Sequence, residues 1–321
     1  MSSFDIYEDL GHDITRIDTA MLREELAACY LLRGGDEFAI IETGTHHTVP
    51  IILDLLAERG IDRRQVKYVI PTHVHLDHAG GVGGLMAALP EATLLVHPRG
   101  ARHMIEPAKL VAGATAVYGE AAFRETYGEI LPVPASRVHT PGDGDEVTVG
   151  DRRLVFLDTP GHARHHFCVY DPASAGVFTG DTFGLSYPPL TTEKGPFILP
   201  TTTPVQFDPP ALQASIGKLM ALDAERMYLT HYGPVENPGT LGERLRGQVD
   251  DYVDLAERVA GEVGDDELEA ALRTALRDYL FRQVREHGVR MDDDRLDAVL
   301  GMDLTLNSQG LAVWLRSRRA A

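Results

Sequence analysis

Thr72-His73-Val74-His75-Leu76-Asp77-His78 follows directly on the apolar run Tyr68-Val69-Ile70. Three imidazoles and a carboxylate fall between positions 73 and 78, a dense set of borderline metal ligands. In an extended segment, alternate side chains share one side, so His73, His75 and Asp77 are expected on a common face. The turn toward Ala79-Gly80-Gly81 then swings His78 round, and glycines there let backbone and metal approach closely. Such spacing serves two ions as readily as one.

The same grammar recurs three times. Leu154-Val155-Phe156-Leu157 leads into Asp158-Thr159-Pro160-Gly161-His162. Val177-Phe178 leads into Thr179-Gly180-Asp181, and Met227-Tyr228-Leu229 into Thr230-His231-Tyr232-Gly233. Each time a short apolar strand runs into a glycine-containing turn that bears a ligand-type side chain. Turns held at the ends of strands are common places for sites. Convergence of the four strand ends would gather His73, His75, His78, His162, His231, Asp77 and Asp181. Most of the other histidines are expected at the surface, in the core or behind the ligands; among them His46 and His47, which follow a strand and a Gly44 turn, are the first candidates to line the cleft. His166 is expected to orient a ligand from behind, as ligating groups require.

Outward from these motifs, Ala28 to Leu32 and Phe38 to Ile41 flank Gly34-Gly35-Asp36, a hairpin signal. Val49 to Arg59 has helical spacing and stops at Gly60; Val82 to Leu89 and Ala211 to Leu222 also read as helices. Strands alternating with helices indicate an α/β or α+β chain whose sheets are covered by helices. Phe183 to Pro210 is rich in Pro and Thr and has no periodicity, as in long functional loops. From Leu241 a helical stripe takes over (Leu241, Leu245, Val249, Tyr252). Asp265 is placed to cap a second helix that ends near Gly288, and Leu311, Trp314 and Leu315 mark a last one. The division expected is a catalytic domain over residues 1–240 and a helical extension over 241–321, serving to pack or to shape a pocket.

The 321 residues are 44% hydrophobic, ample for a large core. Forty-eight acidic residues against thirty basic ones give a net charge of −18, which disfavours nucleic acid as a partner. No apolar stretch is long enough for a bilayer. Met1-Ser2-Ser3-Phe4-Asp5 has neither a basic nor an apolar leader region, so a cytoplasmic location is expected. Cys29 and Cys168 lie in apolar runs and are expected as buried, reduced thiols.

Taken together, the His73-x-His75-x-Asp77-His78 run, Pro160-Gly161-His162, Thr179-Gly180-Asp181 and Thr230-His231 resemble the motifs of the metallo-β-lactamase superfamily, in order, over about residues 10 to 235. The resemblance implies an α+β fold, a four-layer αββα sandwich with the C-terminal helices added. It implies one metal on His73, His75 and His162, a second on Asp77, His78 and His231, and Asp181 bridging both. A full binuclear set is similar to the glyoxalase II and lactonase branches. Many relatives carry Asp-Thr-Gly where Glu42-Thr43-Gly44 stands here. Phe183-Gly184-Leu185-Ser186 replaces the stretch that serves glutathione thioesters, and Tyr187 is offset from the lactonase tyrosine.

The activity implied is metal-dependent hydrolysis of an ester-like bond (thioester, lactone or other small ester) in a small molecule. Two divalent ions, most simply Zn with Fe or Mn as alternatives, would hold a bridging hydroxide. Asp77 would hold the second metal, orient the nucleophile and help move its proton. Tyr187, Lys194 and Tyr232 are candidate substrate contacts, although Lys194 is better explained as a solvated loop charge. Homodimerisation is compatible with this reading; nucleic-acid and membrane partners are not. Phosphodiester hydrolysis and iron redox chemistry of the persulfide dioxygenase kind are the alternatives on the same scaffold. His75 and the lack of a flavodoxin-like segment disfavour the flavin-linked diiron type.

Overall fold

The computed structural model describes residues 5–202 and 205–320. Its first sheet holds β1 (Tyr7–Asp9), β2 (Ile14–Asp18), β3 (Ala28–Gly34), β4 (Glu37–Ile41), β5 (Val66–Ile70), β6 (Thr93–Leu95) and β7 (Val138–His139), in that spatial order. The second holds β8 (Glu146–Val149), β9 (Arg152–Asp158), β10 (Phe167–Asp171), β11 (Gly176–Gly180), β12 (Arg226–Leu229) and β13 (Gly233–Glu236), also in sequence order. Pairing is antiparallel from β1 to β4 and parallel from β4 to β7. In the second sheet only β11 and β12 run parallel.

Strand alternation sorts the residues into layers. Tyr30 and Leu32 of β3, with Ala39 and Ile41 of β4, point into the core shared with β9 to β12. Their neighbours Cys29, Leu31, Phe38 and Ile40 point the other way and are covered by α1 (Thr48–Glu58), α2 (Leu76–Ala79), α3 (Val82–Ala88) and α4 (Ala101–Ile105). With both faces buried, these strands read as continuous apolar runs. The Tyr30 hydroxyl crosses between the sheets to donate to the Leu229 carbonyl, and Ala28 N–H donates to the Thr230 carbonyl at 2.8 Å. These bonds tie the ligand-bearing end of β12 to the first sheet.

Two further helices, α5 (Ala108–Tyr118) and α6 (Glu120–Tyr127), follow α4. The outer layer beyond the second sheet is built by α7 (Pro209–Met220), α8 (Pro238–Glu262), α9 (Leu268–His287) and α10 (Asp293–Ala320). The layers are therefore helix, sheet, sheet, helix. Leu245, Val249 and Tyr252 of α8, Leu272 and Leu276 of α9, and Leu300 and Leu304 of α10 join the same apolar cluster as the inner faces of the sheets.

The expected stop of the second C-terminal helix holds: Gly288 closes α9 at φ +106°. The expected cap does not. Asp265 lies outside α9, whose Glu267 cap makes no side-chain bond; Asp265 instead accepts from Arg316 Nε at 3.0 Å. The last helix runs far longer than its apolar residues announce, because buried Asp303, Asn307 and Ser308 interrupt the stripe. In the expected 183–210 loop the described residues form a 3-10 turn at Pro188–Leu190 and isolated bridges between Leu185 and Leu199 and between Thr192 and Gly195, and α7 already begins at Pro209; residues 203 and 204 lie outside the described set. Cys29 and Cys168 are buried and unbridged, as expected. No helix among the described residues is long and apolar enough to cross a membrane.

Candidate metal centre

The four strand ends converge. β5 delivers His73, and the chain then turns: His75 is the N-terminal flanking residue of α2, in extended conformation, and Asp77 and His78 lie within that helical turn. This corrects the expectation that Asp77 shares a face with His73 and His75 by strand parity. The helical turn sends Asp77 and His78 to His231, while His73 and His75 meet His162. β9 and its turn supply His162, β11 supplies Asp181, and β12 supplies His231.

His73 Nε2 lies 2.8 Å from His75 Nδ1, and His162 Nε2 lies 3.1 Å from the same Nδ1. On the other side, Asp77 Oδ2 is 3.5 Å from His78 Nε2 and 3.4 Å from His231 Nε2. Asp181 reaches both groups: its Oδ2 is 3.3 Å from His162 Nε2, and its Oδ1 is 3.3 Å from His78 Nε2. Donor atoms of His73, His75 and His162, of Asp77, His78 and His231, and of His73, His78 and Asp181 each fall within 4.8 Å of one another. All seven side chains predicted as ligands are thus in one cluster.

Neighbouring groups fix the rings. Glu42 accepts from His78 Nδ1 (3.0 Å), from Thr72 N–H and hydroxyl (3.2 and 2.5 Å) and from the Thr230 hydroxyl (3.0 Å). His231 Nδ1 donates to the Leu26 carbonyl at 2.7 Å, which leaves Nε2 facing inward. His166, buried, accepts the Asp181 N–H at Nε2 (3.2 Å), consistent with the orienting role expected for it. Gly180, just before Asp181, has φ +48°, and a Cβ there would sit 2.3 Å from Thr72 Oγ1 and 2.6 Å from His166 Nε2. Only glycine lets β11 turn this close.

A divalent cation fits these residues on two observations. His78 Nε2 and Asp181 Oδ1 are buried and have only the contacts of the cluster itself, 3.3 Å to each other and no better-formed hydrogen bond, although buried polar atoms are nearly always satisfied. The electrostatics match as well. Burial, then repulsion among neighbouring imidazoles, pushes His73 well below the usual range; burial and His162 push His75 down to about 3, and burial lowers His162. These imidazoles stay neutral, the form that ligates. Burial would lower His78 too, but the carboxylates of Asp77, Glu42 and Asp181 outweigh it and raise that ring well above its usual value. His231 is raised in the same way by Asp77 and Asp181 against burial. Asp77 and Asp181 are held ionised by these rings despite burial. The carboxylate side of the cluster therefore attracts positive charge, as protons or as metal.

Other expectations resolve differently. His46 and His47 do not join the cluster: His46 N–H bonds to the Tyr127 carbonyl and His47 Nε2 to that of Glu125, anchoring α6. Lys194 Nζ is not simply a solvated loop charge: it donates to the Glu286 carbonyl of α9 at 2.7 Å. Tyr232 lies under the Arg16 guanidinium, 4.5 Å from the ring centre. Tyr187 is wholly buried and bonds to Asp303 at 3.2 Å. Glu42 went unassigned as a positioning group, although Ile40-Ile41-Glu42-Thr43-Gly44 repeats the pattern of apolar strand, turn and carboxylate seen at the other strand ends.

The sequence profile of the metallo-beta-lactamase superfamily matches residues 22–231. A metallo-beta-lactamase fold-containing protein of Sulfurisphaera tokodaii is 25% identical over 78% of this chain and 90% of its own length. A human acyl-coenzyme A thioesterase is 26% identical over 48% of this chain, a match that spans 57% of that protein. A metallo-beta-lactamase family protein from Thermus thermophilus shares the fold at a TM-score of 0.66, with 21% identity, over 97% of this chain and 96% of its own.

Proposed function

This chain belongs to the metallo-beta-lactamase superfamily, and from that premise we propose that it is a binuclear metal-dependent hydrolase of ester-type bonds, with thioesters foremost. The observation that carries the reading is Asp181 standing between two triads, one oxygen toward His162 and the other toward His78. His73, His75 and His162 would hold one ion, Asp77, His78 and His231 the second, and Asp181 both. Zinc suits this nitrogen and oxygen donor set, as do iron and manganese.

Bound divalent ions supply Lewis acidity and a water acidic enough to attack a carbonyl near neutral pH. The residues do the rest. Glu42, the Leu26 carbonyl and His166 hold His78, His231 and Asp181 in place before substrate arrives, so no reorganisation is needed during the reaction. The Asp77 side chain is 27% exposed against 7% for Asp181, so Asp77 is the carboxylate placed to pass a proton between the site and solvent. Thioesters come first because a similar protein is named as an acyl-coenzyme A thioesterase.

The test is elemental analysis of the purified protein beside a panel of thioesters, lactones, simple esters and phosphodiesters. The reading expects about two metal equivalents and turnover of a carboxylic ester or thioester. Protein loaded with two equivalents that hydrolyses none of the panel would overturn it.

A further inference from the structure

Folded proteins pair nearly all their buried polar atoms, so a concentration of unpaired ones marks where something else supplies the partners. Outside the ligand cluster, such a concentration lies where α8 and α10 face the 183–202 loop. Gln248 is 3% exposed, and neither its Nε2 nor its Oε1 has a hydrogen-bond partner. Tyr252, wholly buried one turn further along α8, has its hydroxyl toward the Asn307 side chain. Asp303 of α10, 6% exposed, receives the Tyr187 hydroxyl at Oδ1 and leaves Oδ2 unpaired. The Arg23 guanidinium lies 4.5 Å from the centre of the Tyr187 ring, and its buried Nη2 is unpaired.

These groups share one region. Tyr252 feels the charge of Asp303 and hydrogen-bonds with the Asn307 side chain, and Glu257 pairs with Arg318, so α8 and α10 run in the same direction. One turn back along both helices brings Gln248 level with Asp303. The region abuts the metal centre: Asp303 feels the charges of His231 and Asp181, and Ser186, next to Tyr187, donates its N–H to the His231 carbonyl at 2.6 Å. Arg23 and Asp303 also feel each other, yet Nη2 and Oδ2 are not bonded together.

We propose that Gln248, Tyr252, Asp303 and Arg23 form a recognition subsite for the acyl part of the substrate, and that this acyl part carries hydroxyl or amino groups instead of a bare alkyl chain. The inference rests on the hydrolytic reading above. An alkyl chain seated here would leave the Gln248 amide, Asp303 Oδ2 and Arg23 Nη2 buried without a partner. A chain bearing O–H or N–H groups gives Asp303 Oδ2 a donor, offers Gln248 and Tyr252 both kinds of partner, and presents oxygens to Arg23. Sites built to bond a substrate hydroxyl or amine reject the analogue that lacks it far more strongly than apolar pockets discriminate by size.

The test uses the full-length, metal-loaded protein and thioesters with one common leaving group and acyl chains of equal length: hydroxylated, aminated and plain. The wild type is expected to favour the hydroxylated or the aminated member over the plain one by about tenfold or more in kcat/KM. Which of the two is favoured identifies the donor. Gln248→Leu and Asp303→Asn should each cut that ratio about tenfold, and a ratio is unaffected by partial loss of active protein. Calorimetric titration of a hydroxy acid against its deoxy analogue gives a readout without turnover, and its selectivity should vanish in Asp303→Asn. A wild-type ratio near one, equal binding of the two acids, or a ratio unchanged in both variants overturns the subsite; the unpaired atoms would then be served by water alone. Selective binding of the hydroxy acid with no turnover of any member keeps the subsite and overturns the hydrolase reading.

Discussion

Glu42 Oε1 lies 3.0 Å from His78 Nδ1, while His78 Nε2 lies 3.3 Å from Asp181 Oδ1. One buried carboxylate, 36 residues before this imidazole, thus sets which ring nitrogen faces the metal centre. The same carboxylate also receives Thr72 and Thr230, so the ends of β5 and β12 share a single acceptor.

Glu42→Gln should therefore cost more than one hydrogen bond. A glutamine offers one acceptor oxygen to a group of donors and turns its own N–H groups on the rest. The expected loss is about 2–4 kcal/mol of stability, from a charged acceptor removed beside buried donors. Metal affinity should fall about 10- to 100-fold, the range for partners that orient a ligand. Denaturant unfolding and a competitive chelator titration measure the two; a variant with wild-type metal affinity would show that Glu42 does not position His78.

Asp181→Ala removes the oxygens that face both triads. It should lose at least one metal equivalent and most activity, whereas His162→Ala should empty the site of His73 and His75 and leave the other occupied. Metal counting on the two purified variants separates them. Full stoichiometry in Asp181→Ala would defeat its bridging role.

Gly180→Ala places a methyl group against Thr72 Oγ1 and His166 Nε2, in a backbone conformation at φ +48°. The strained backbone alone costs about 1–3 kcal/mol. Because the clash pushes Thr72 away from Glu42 and His166 away from the Asp181 amide, metal loss should accompany the drop in melting temperature. A variant that melts like the wild type and keeps its metals would contradict the close packing.

Asp303 supplies a pH dependence. Burial raises its carboxyl to about 6 from 3.8, against the opposing influence of His231, Tyr187 and Arg23. Between those values the folded state binds a proton that the unfolded chain has released. This group therefore makes stability fall as pH rises through about 4 to 6, by a few kcal/mol at most. In metal-free protein, Asp303→Asn should gain stability relative to the wild type as pH is raised from 4 to 7, histidine titrations being common to both. Urea unfolding across that range measures the gap; a gap independent of pH would refute the raised value.

Much of the candidate metal centre was legible in the chain because each candidate ligand is announced locally. An apolar strand, a glycine turn and a histidine or aspartate lie within a few residues of one another, and strand periodicity survives in any tertiary context. Asp77 shows where that logic stops. Parity assigned it to His73, but the chain enters α2 at His75, and a helical turn moves the carboxylate to the other triad. Asp265 fails for a related reason. Its type suits a cap, yet a salt bridge to Arg316, on a helix 51 residues later, decided its position.

What the sequence determined by itself is the set of seven candidate ligands and the order of strands that carries them, since both follow from patterns a few residues long. What only the tertiary structure decided is their pairing into two triads, the hold of Glu42 on His78, and the meeting of Asp303 with Tyr187, Arg23 and Tyr252. Helical residues at positions 248 and 303 interrupt an apolar stripe without saying what they face. Contacts between side chains tens to hundreds of residues apart are set by how layers pack, and no local period encodes them.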